Sequence, residues 1–295
     1  MKKYTRIIQI ITWLGIMAVL TVFAMGAWMI LSGGSQSTAS LKWLQCVQTA
    51  GTFLLPPILC ALLWDENHQP MRWLRMDRGA DWRLFLLAIG IMVCAIPGIN
   101  LLADLNRRFL DWLLAISDWL LAIGNWMKSM EESAAVLTER FLAADNIGEL
   151  LLNIGLMALL PALSEEMTFR GTLQQTLYKR QSDKGQGTMV HLAIWVTAFI
   201  FSAIHMQFYG FIPRMLLGAM FGYVFLWSSS LWVPIVMHFT NNGLAVLVAF
   251  CLQHSAISTN IADTIGAGDT WYLGIVSLVI TCPGLLIFYR RTHKQ

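Results

Sequence analysis

Two glutamates and an arginine stand in a stretch of chain that is otherwise as apolar as a membrane helix. The segment PALSEEMTFRG (161–171) follows LLNIGLMALL and contains Glu165, Glu166 and Arg170. Each charge costs about 2.5–3.5 kcal/mol at the centre of a membrane helix, whereas one Leu or Ile returns only about 0.3–0.6 kcal/mol. We therefore expect all three side chains to face a helix-bundle interior or a water-containing cavity, where ionisable groups are candidates for function.

The spacing of the three charges indicates different roles for them. Glu166 and Arg170 are four residues apart with the acid first, the order that favours an ion pair on one helix face. Glu165 points about 100° away from that pair and is left for chemistry. A glutamate removed from bulk water is a stronger proton acceptor and can act as a general base. The alternative is a cytoplasmic helix end with solvated charges, since Lys179 and Arg180 follow closely.

Two later apolar stretches also carry polar side chains. FIFSAIHMQF places His205 near the end of one stretch, and VPIVMHFTNNGLAV places His238 and Asn242 four residues apart, where one helix face can present both. Peptide-bond hydrolysis needs an activated water, donors for the oxyanion and a proton source for the leaving amine. We predict that Glu165 and His205 activate water, and that His238 and Asn242 stabilise the oxyanion.

Zinc is the alternative to a cofactor-free centre, because two histidines and a glutamate can bind the ion and leave a position for water. The ligands would be Glu165, His205 and His238. The sequence contains no H-E-x-x-H motif, and the residue four positions after His238 is Asn242, a poor zinc ligand. We therefore favour a glutamate-activated water without bound metal or other cofactor.

The remainder of the chain must hold these residues within a membrane. Of its 295 residues, 57% are hydrophobic and 13% are charged, which is more apolar than a soluble domain can bury. Basic residues lie between the apolar runs and form no patch, which excludes nucleic-acid binding. We predict an all-α polytopic fold of about eight transmembrane helices, at 7–31, 42–64, 83–104, 148–178, 188–206, 211–228, 231–252 and 271–289.

The basic residues predict the orientation of these spans by the positive-inside rule. With the N-terminus in the cytoplasm, the inside segments carry Lys2, Lys3, Arg6, Arg72, Arg75, Arg78, Arg83, Lys179, Arg180, Lys184, Arg290, Arg291 and Lys294. Both termini are therefore predicted to be cytoplasmic. The compact loops indicate a bacterial inner membrane.

Four regions follow from this topology: a three-span region (1–104), an external Trp-rich segment (105–146), a four-span catalytic core (147–252), and an external loop with the last span (253–295). The segment DWLLAISDWLLAIGNWM repeats every seven residues. On one continuous helix, the repeat would align one polar stripe with three tryptophans beside it: Asp111, Asp118 and Asn125, with Trp112, Trp119 and Trp126. We predict an extra helix there, lying in the outer membrane interface.

Small residues and prolines mark the predicted helix contacts. Gly218 and Gly222 form a G-x-x-x-G motif, which permits close helix packing. Prolines at 56, 57, 97, 161, 213, 234 and 283 are kink sites that membrane helices tolerate when neighbours satisfy the freed backbone groups.

Three motifs, in order, carry a family resemblance: EEMTFR (165–170), FSAIH (201–205) and HFTNN (238–242) match E-E-x-x-x-R, F-x-x-x-H and H-x-x-x-N. They resemble the CPBP family of intramembrane proteases, the CAAX-protease and bacteriocin-processing group related to the Rce1-type enzyme. The resemblance covers roughly 150–252.

The resemblance implies an eight-span core with a site in a membrane cavity. It implies Glu165 as the base, Glu166 with Arg170 as support, and a centre completed by His205, His238 and Asn242. Protein or peptide substrates are implied as well, cleaved near the C-terminus of prenylated proteins in eukaryotic members and diverse in bacterial ones. No feature of the sequence points to a prenyl-binding groove, so CaaX specificity is not carried over.

Two non-catalytic classes stay open beside the protease. A proton-coupled transporter would use Glu165 and the histidines as a relay, but the internal repeats common in transporters are not found between the two halves of this sequence. An immunity or scaffold protein would retain a dead site. Replacement of Glu165 by Gln separates these classes, because it abolishes cleavage by a protease and leaves a scaffold phenotype intact.

Overall fold

The structure, a computed structural model, describes residues 5–178, 186–255 and 265–293. The helices are α1 (Arg6–Ser32), α2 (Thr38–Thr49), α3 (Leu55–Trp64), α4 (Pro70–Trp73), α5 (Trp82–Leu114), α6 (Asp118–Leu142), α7 (Ile147–Asn153), α8 (Leu160–Glu166), α9 (Gln175–Leu177), α10 (Gln186–Ala203), α11 (Phe211–Ser228), α12 (Trp232–Gln253) and α13 (Trp271–Thr292). A short 3₁₀ turn, Gly268–Thr270, precedes α13, and no strand occurs within the described ranges.

Wider π-helical turns join some of these helices into long rods. Ala50–Leu54 connects α2 to α3, Ile154–Leu159 connects α7 to α8, and Met167–Gln174 connects α8 to α9. The first rod is therefore Thr38–Trp64, and the second, which we call the central rod, is Ile147–Leu177. π-Helical turns in α-helices often accompany functional sites.

The prediction of an all-α polytopic membrane protein is confirmed. Within the described ranges, seven helical segments are long and apolar enough to cross a membrane: Arg6–Ser32, Thr38–Trp64, Trp82–Leu114, Ile147–Leu177, Phe211–Ser228, Trp232–Gln253 and Gly268–Thr292. The eighth apolar segment, Met189–Ala203 within α10, is shorter. The protein is thus an integral, multi-pass membrane protein.

The predicted polar stripe is wrong, and the helix that contains the predicted third span is longer than that span. Helix α5 continues ten residues beyond 104 to Leu114, and a new helix begins at Asp118. Asp111 therefore belongs to one helix, and Asp118 and Asn125 belong to the next. The heptad pattern concealed this break because the residues on both sides of it are good helix formers. Helix α6 is the predicted extra helix, and its position in the membrane interface stays a prediction.

The fifth span is also shorter than the predicted 188–206. Helix α10 ends at Ala203, and His205 lies in the turn that follows it. Met206 in this turn has a φ of 53°, in the left-handed region, so the chain cannot continue as a right-handed helix there.

The regional division and the orientation remain predictions. The boundary at 104 falls inside helix α5. Six of the basic residues that support the orientation lie outside the described residues: Lys2, Lys3, Lys179, Arg180, Lys184 and Lys294.

The G-x-x-x-G motif brings α11 against α10 and the central rod, as the close-packing prediction requires. A Cβ atom at Gly218 would lie 3.2 Å from Ala198 Cα, and one at Gly222 would lie 2.8 Å from Gln174 Oε1. The bare backbone lets two α11 carbonyls accept side-chain hydrogen bonds, from Arg170 Nη2 to Gly218 O (2.9 Å) and from Gln174 Nε2 to Gly222 O (3.1 Å). Helix packing and polar-group satisfaction therefore have the same cause.

A hydrogen bond to a backbone carbonyl that a proline leaves without its helical donor links the central rod to the first rod. Pro57 has no N–H, so the carbonyl of Phe53, four residues earlier, lacks its usual helical donor. The Thr168 hydroxyl donates to that carbonyl at 2.7 Å. All eight residues of Met167–Gln174 are buried, which places this π-helical segment at the centre of the bundle.

Candidate active site

A chain of charged and polar side chains crosses from the central rod to α12. Arg170 Nη1 donates to Glu166 Oε1 at 2.7 Å, and His238 Nδ1 lies 2.8 Å from the same oxygen. Glu166 and Arg170 are completely buried, with side-chain exposures of 0%. The predicted ion pair is therefore present, and the solvated helix end considered as an alternative is contradicted.

Two aromatic rings hold the Arg170 guanidinium in place. Its central carbon lies 4.7 Å from the ring centre of Phe201 on α10 and 5.4 Å from that of Phe221 on α11. Together with the carboxylate of Glu166 and the carbonyl of Gly218, these rings stabilise a cation that would be unfavourable in lipid or in an apolar core without such partners. Arg170 therefore connects three helices around the site.

Glu165 approaches the other nitrogen of His238. Glu165 Oε2 lies 3.9 Å from His238 Nε2, too long for a direct hydrogen bond and short enough for one water to contact both. The Glu165 side chain is 14% exposed and that of His238 is 6% exposed. The two residues lie 73 positions apart, so helix packing alone brings them together.

The helices reach this level by being offset along the membrane normal. His238 is seven residues after Leu231, which precedes α12, whereas Glu165 is twelve residues before the end of the central rod. Leu231 packs beside Gly171, where a Cβ would lie 3.3 Å from a Leu231 methyl carbon. The start of α12 is thus level with the buried part of the central rod.

His205 borders the same cluster from the turn after α10. Its Nδ1 lies 2.7 Å from the carbonyl oxygen of Phe201, which can only accept, so Nδ1 carries the proton of this hydrogen bond. The Phe201 ring contacts both histidines, with ring-centre distances of 5.1 Å to His205 and 6.1 Å to His238. This ring therefore separates and orients the two imidazoles.

Asn242 lies one helical turn beyond His238, and its amide is anchored to the central rod. Asn242 Nδ2 donates to the carbonyl of Met157 at 3.3 Å. That carbonyl is the acceptor that Pro161, lacking an N–H, leaves without its usual helical donor. Asn241 Nδ2 donates to Asn242 Oδ1 at 3.1 Å, so both ends of the Asn242 amide are held.

Arg214 is a further charged residue of the site that the sequence analysis missed. It lies in the first turn of α11, and its charge interacts with those of Glu165 and His205. Its guanidinium donates to Gln207 Oε1 at 2.6 Å and to the Gln207 carbonyl at 3.4 Å. The insertion cost that identified Glu165 applies equally to an arginine at the start of an apolar helix, and was the available signal.

The segment that carries His205 is held by the extension of α5 and by α6. Asn106 Nδ2 donates to the carbonyls of Phe208 (2.8 Å) and Tyr209 (2.7 Å). Tyr209 Oη donates to Asp111 Oδ1 at 3.2 Å, and burial together with the Asp111 charge raises the pKa of this tyrosine, which keeps it a donor at neutral pH. The Trp126 ring packs 5.3 Å from that of Phe208. The Trp-rich segment thus positions the His205 turn.

The site residues fall into two layers. Glu166, Arg170 and His238 are buried, whereas Glu165, His205, Arg214 and Asn242 are partly exposed. A reacting group that enters the site would meet the second set first. The buried set is suited to orienting it.

The residues do not form a ready metal centre. Across residues 5–178, 186–255 and 265–293, no three His, Cys, Asp or Glu side chains are grouped closely enough to hold a metal ion. Glu165 and His238 approach each other, but His205 does not complete a three-ligand set with them.

Comparisons with known proteins agree with the motifs. Residues 147–244 match the family described as Rce1-like, type II CAAX prenyl endopeptidase, which confirms the predicted family over this segment. A curated relative, "Uncharacterized protein YpbD" of Bacillus subtilis (strain 168), is 30% identical over 87 residues, or 28% of this chain and 38% of the relative. The chain thus spans well under half the length of that relative. No solved structure matches.

Proposed function

Because residues 147–244 match the Rce1-like family, we propose that this protein is an intramembrane endopeptidase that uses a glutamate-activated water. Its substrates are peptide bonds of membrane-associated proteins or peptides, and it acts in a bacterial inner membrane with both termini in the cytoplasm. The proposal rests mainly on the 3.9 Å distance between Glu165 Oε2 and His238 Nε2. The other ring nitrogen of His238 is held by Glu166 of the buried Glu166–Arg170 pair.

Glu165 is the general base of the proposed reaction. It takes a proton from water while the water oxygen bonds to the scissile carbonyl carbon. Collapse of the tetrahedral intermediate then breaks the C–N bond, and Glu165 returns the proton to the leaving amine. The products are a new carboxyl terminus and a new amino terminus, with no oxidant or cofactor required.

The hydrogen bonds restrict what each histidine can do. Glu166, paired with Arg170, accepts from His238 Nδ1, so a neutral His238 presents an unprotonated Nε2. His238 can donate to an oxyanion only as an imidazolium, for which the flanking carboxylates of Glu165 and Glu166 supply compensating charge. His205, with its Nδ1 proton directed to Phe201, presents an accepting Nε2 that is suited to assisting Glu165 with the water.

Asn242 and Arg214 supply the donors that face the opening. One N–H of the Asn242 amide is engaged by Met157, and its second N–H completes the predicted oxyanion site. The Arg214 cation, fixed by Gln207, lies near Glu165 and adds electrostatic stabilisation for negative charge that develops on the substrate.

The test of this function is a comparison of protein termini in cells that carry the wild type, Glu165→Gln or Glu139→Gln. Glu139 is an exposed carboxylate on α6 and provides a matched control. N-terminal mass spectrometry of membrane and released peptides should reveal new termini in the wild type and the control that are missing with Glu165→Gln. Identical termini in all three strains would contradict the proposal and favour the non-catalytic immunity or scaffold protein.

Zinc dependence is the second candidate for the same reaction, with Glu165, His205 and His238 as ligands. The absence of an H-E-x-x-H motif, with Asn242 four positions after His238, favours the metal-free version. Treatment of the purified protein with a strong chelator tests the choice, because a loss of activity that added zinc restores would establish the metal-dependent version.

A further inference from the structure

A cavity separate from the catalytic cluster opens between the first rod and the central rod. Its volume is about 520 Å³, within the range of small-molecule sites. One wall is formed by the start of α2 and the other by Ala143 and the start of the central rod. The lining residue of the central rod nearest to Glu165, Leu156, is nine residues before it, or roughly 14 Å along the helix.

The cavity is polar at one end and apolar at the other. Its charged lining residues, Lys42, Asp145 and Glu149, lie at or near the starts of the two rods. Along the same rods, Cys46 lies about 6 Å deeper than Lys42, and Leu156 lies about 10 Å deeper than Glu149. The polarity therefore falls in the direction of the membrane interior.

The charged end lies at the depth of a membrane surface. From Lys42 to Trp64, where the first rod ends, the 22-residue separation corresponds to about 33 Å of helix. This length is close to the hydrocarbon thickness of a bilayer, about 30 Å. When Trp64 lies at one membrane surface, Lys42 lies at the opposite one, among the lipid head groups.

Both signs of charge occur at that end. Lys42 Nζ donates to Asn153 Oδ1 at 2.7 Å, and its charge interacts with that of Glu149. Asn153 is itself fully buried and donates to the carbonyls of Leu142 and Ala143, so Lys42 is held by a rigid partner. Glu149 accepts from the Asp145 backbone N–H at 3.0 Å, which fixes the carboxylate side of the cavity.

We propose that this cavity binds a phospholipid whose head group carries both a phosphate and a primary ammonium, as in phosphatidylethanolamine. The phosphate contacts Lys42, the ammonium contacts Glu149 and Asp145, and one acyl chain passes Cys46 and Leu156. A purely anionic head group would satisfy Lys42 and face two carboxylates, whereas the zwitterion matches both signs. The binding is independent of peptide hydrolysis.

Cys46 provides a direct measure of occupancy. The purified wild-type protein in dodecyl maltoside is treated with N-ethylmaleimide, with increasing dioleoyl phosphatidylethanolamine, phosphatidylglycerol or phosphatidylcholine added to the micelles. Mass spectrometry of proteolytic peptides then gives the alkylation rate of each cysteine. Cys60 is fully buried and reports the folded state, and Cys94 and Cys282 are exposed controls outside the cavity.

Phosphatidylethanolamine should slow alkylation of Cys46 about tenfold at ten times its dissociation constant, because labelling requires an empty site. The rates at Cys94 and Cys282 should not change. Lys42→Met and Glu149→Gln should each weaken this protection about tenfold. The matched variant Lys128→Met, on exposed α6, should behave as the wild type.

Three results would overturn the proposal: no protection by any lipid, equal or better protection by phosphatidylglycerol or phosphatidylcholine, or protection that neither substitution weakens. Should Lys42→Met expose Cys60 and thus fail to fold, the wild-type lipid comparison and Glu149→Gln still decide.

Discussion

Replacement of Arg170 by Met tests the buried ion pair that supports the site. Methionine retains the apolar stem between Phe201 and Phe221 and removes the charge, leaving the fully buried Glu166 without its cation and the Gly218 carbonyl without its donor. Removing one partner of a buried pair costs about 3–5 kcal/mol. We expect Arg170→Met to lower the free energy of unfolding by this amount.

The double variant Glu166→Gln/Arg170→Met should recover much of that stability. The introduced glutamine side chain is neutral and still offers an oxygen to His238 Nδ1, so the uncompensated charge disappears. The remaining penalty is the unpaired carbonyl of Gly218, about 1–3 kcal/mol. Activity should not recover, because His238 Nδ1 no longer donates to a carboxylate; loss of the orienting charge in comparable centres lowers kcat by about 10²–10⁴.

Unfolding is measured by titration of the purified protein with sodium dodecyl sulfate, followed by the reaction of a thiol-specific dye with Cys60 in a variant that retains only this cysteine. Cys60 is fully buried, so its reactivity reports loss of the bundle. The reasoning would be refuted if Arg170→Met were as stable as the wild type, or if the double variant were less stable than either single variant.

Three further predictions follow from the site. Asn242→Ala should lower kcat by about 10²–10³ if its amide stabilises the oxyanion, whereas the control Glu139→Gln should leave kcat nearly unchanged in a peptide-cleavage assay. Arg214→Gln should lower kcat/KM at least about tenfold through loss of a cation near the reacting carbonyl, and Arg214→Lys should restore part of it. A chelator should leave the activity of the purified protein unchanged, and a zinc-reversible loss would contradict the metal-free mechanism.

Hydropathy predicted most of the spans because a membrane helix must satisfy its own backbone and present apolar side chains. It failed where a helix and an apolar run end at different residues. Helix α5 continues through the charged residues Asp104, Arg107 and Arg108, and Arg108 forms an ion pair with Asp104 at 2.9 Å. The apolar run of this helix therefore ends before the helix itself ends. Helix α10 ends before the apolar run does.

The sequence predicted those parts of the candidate site that depend on the insertion cost of a charge and on residue spacing along one helix. Glu166 and Arg170 form their pair on one helix, and the insertion cost of their charges requires the burial observed. Which histidine lies next to Glu165 depends on how α10 and α12 are offset against the central rod. That offset arises from contacts distant in the sequence, such as Leu231 beside Gly171, and the π-helical turns have no sequence signature.

In the proposed mechanism, a water molecule activated by Glu165 attacks the peptide bond directly. The most direct measurement is a single turnover in H₂¹⁸O, with the purified protein in nanodiscs in excess over a synthetic peptide spanning a cleavage site found in cells. We predict one ¹⁸O atom in the new carboxylate for the wild type and for Glu139→Gln, and no product for Glu165→Gln. Cleavage by Glu165→Gln, or a first-turnover product that lacks ¹⁸O, would contradict this mechanism.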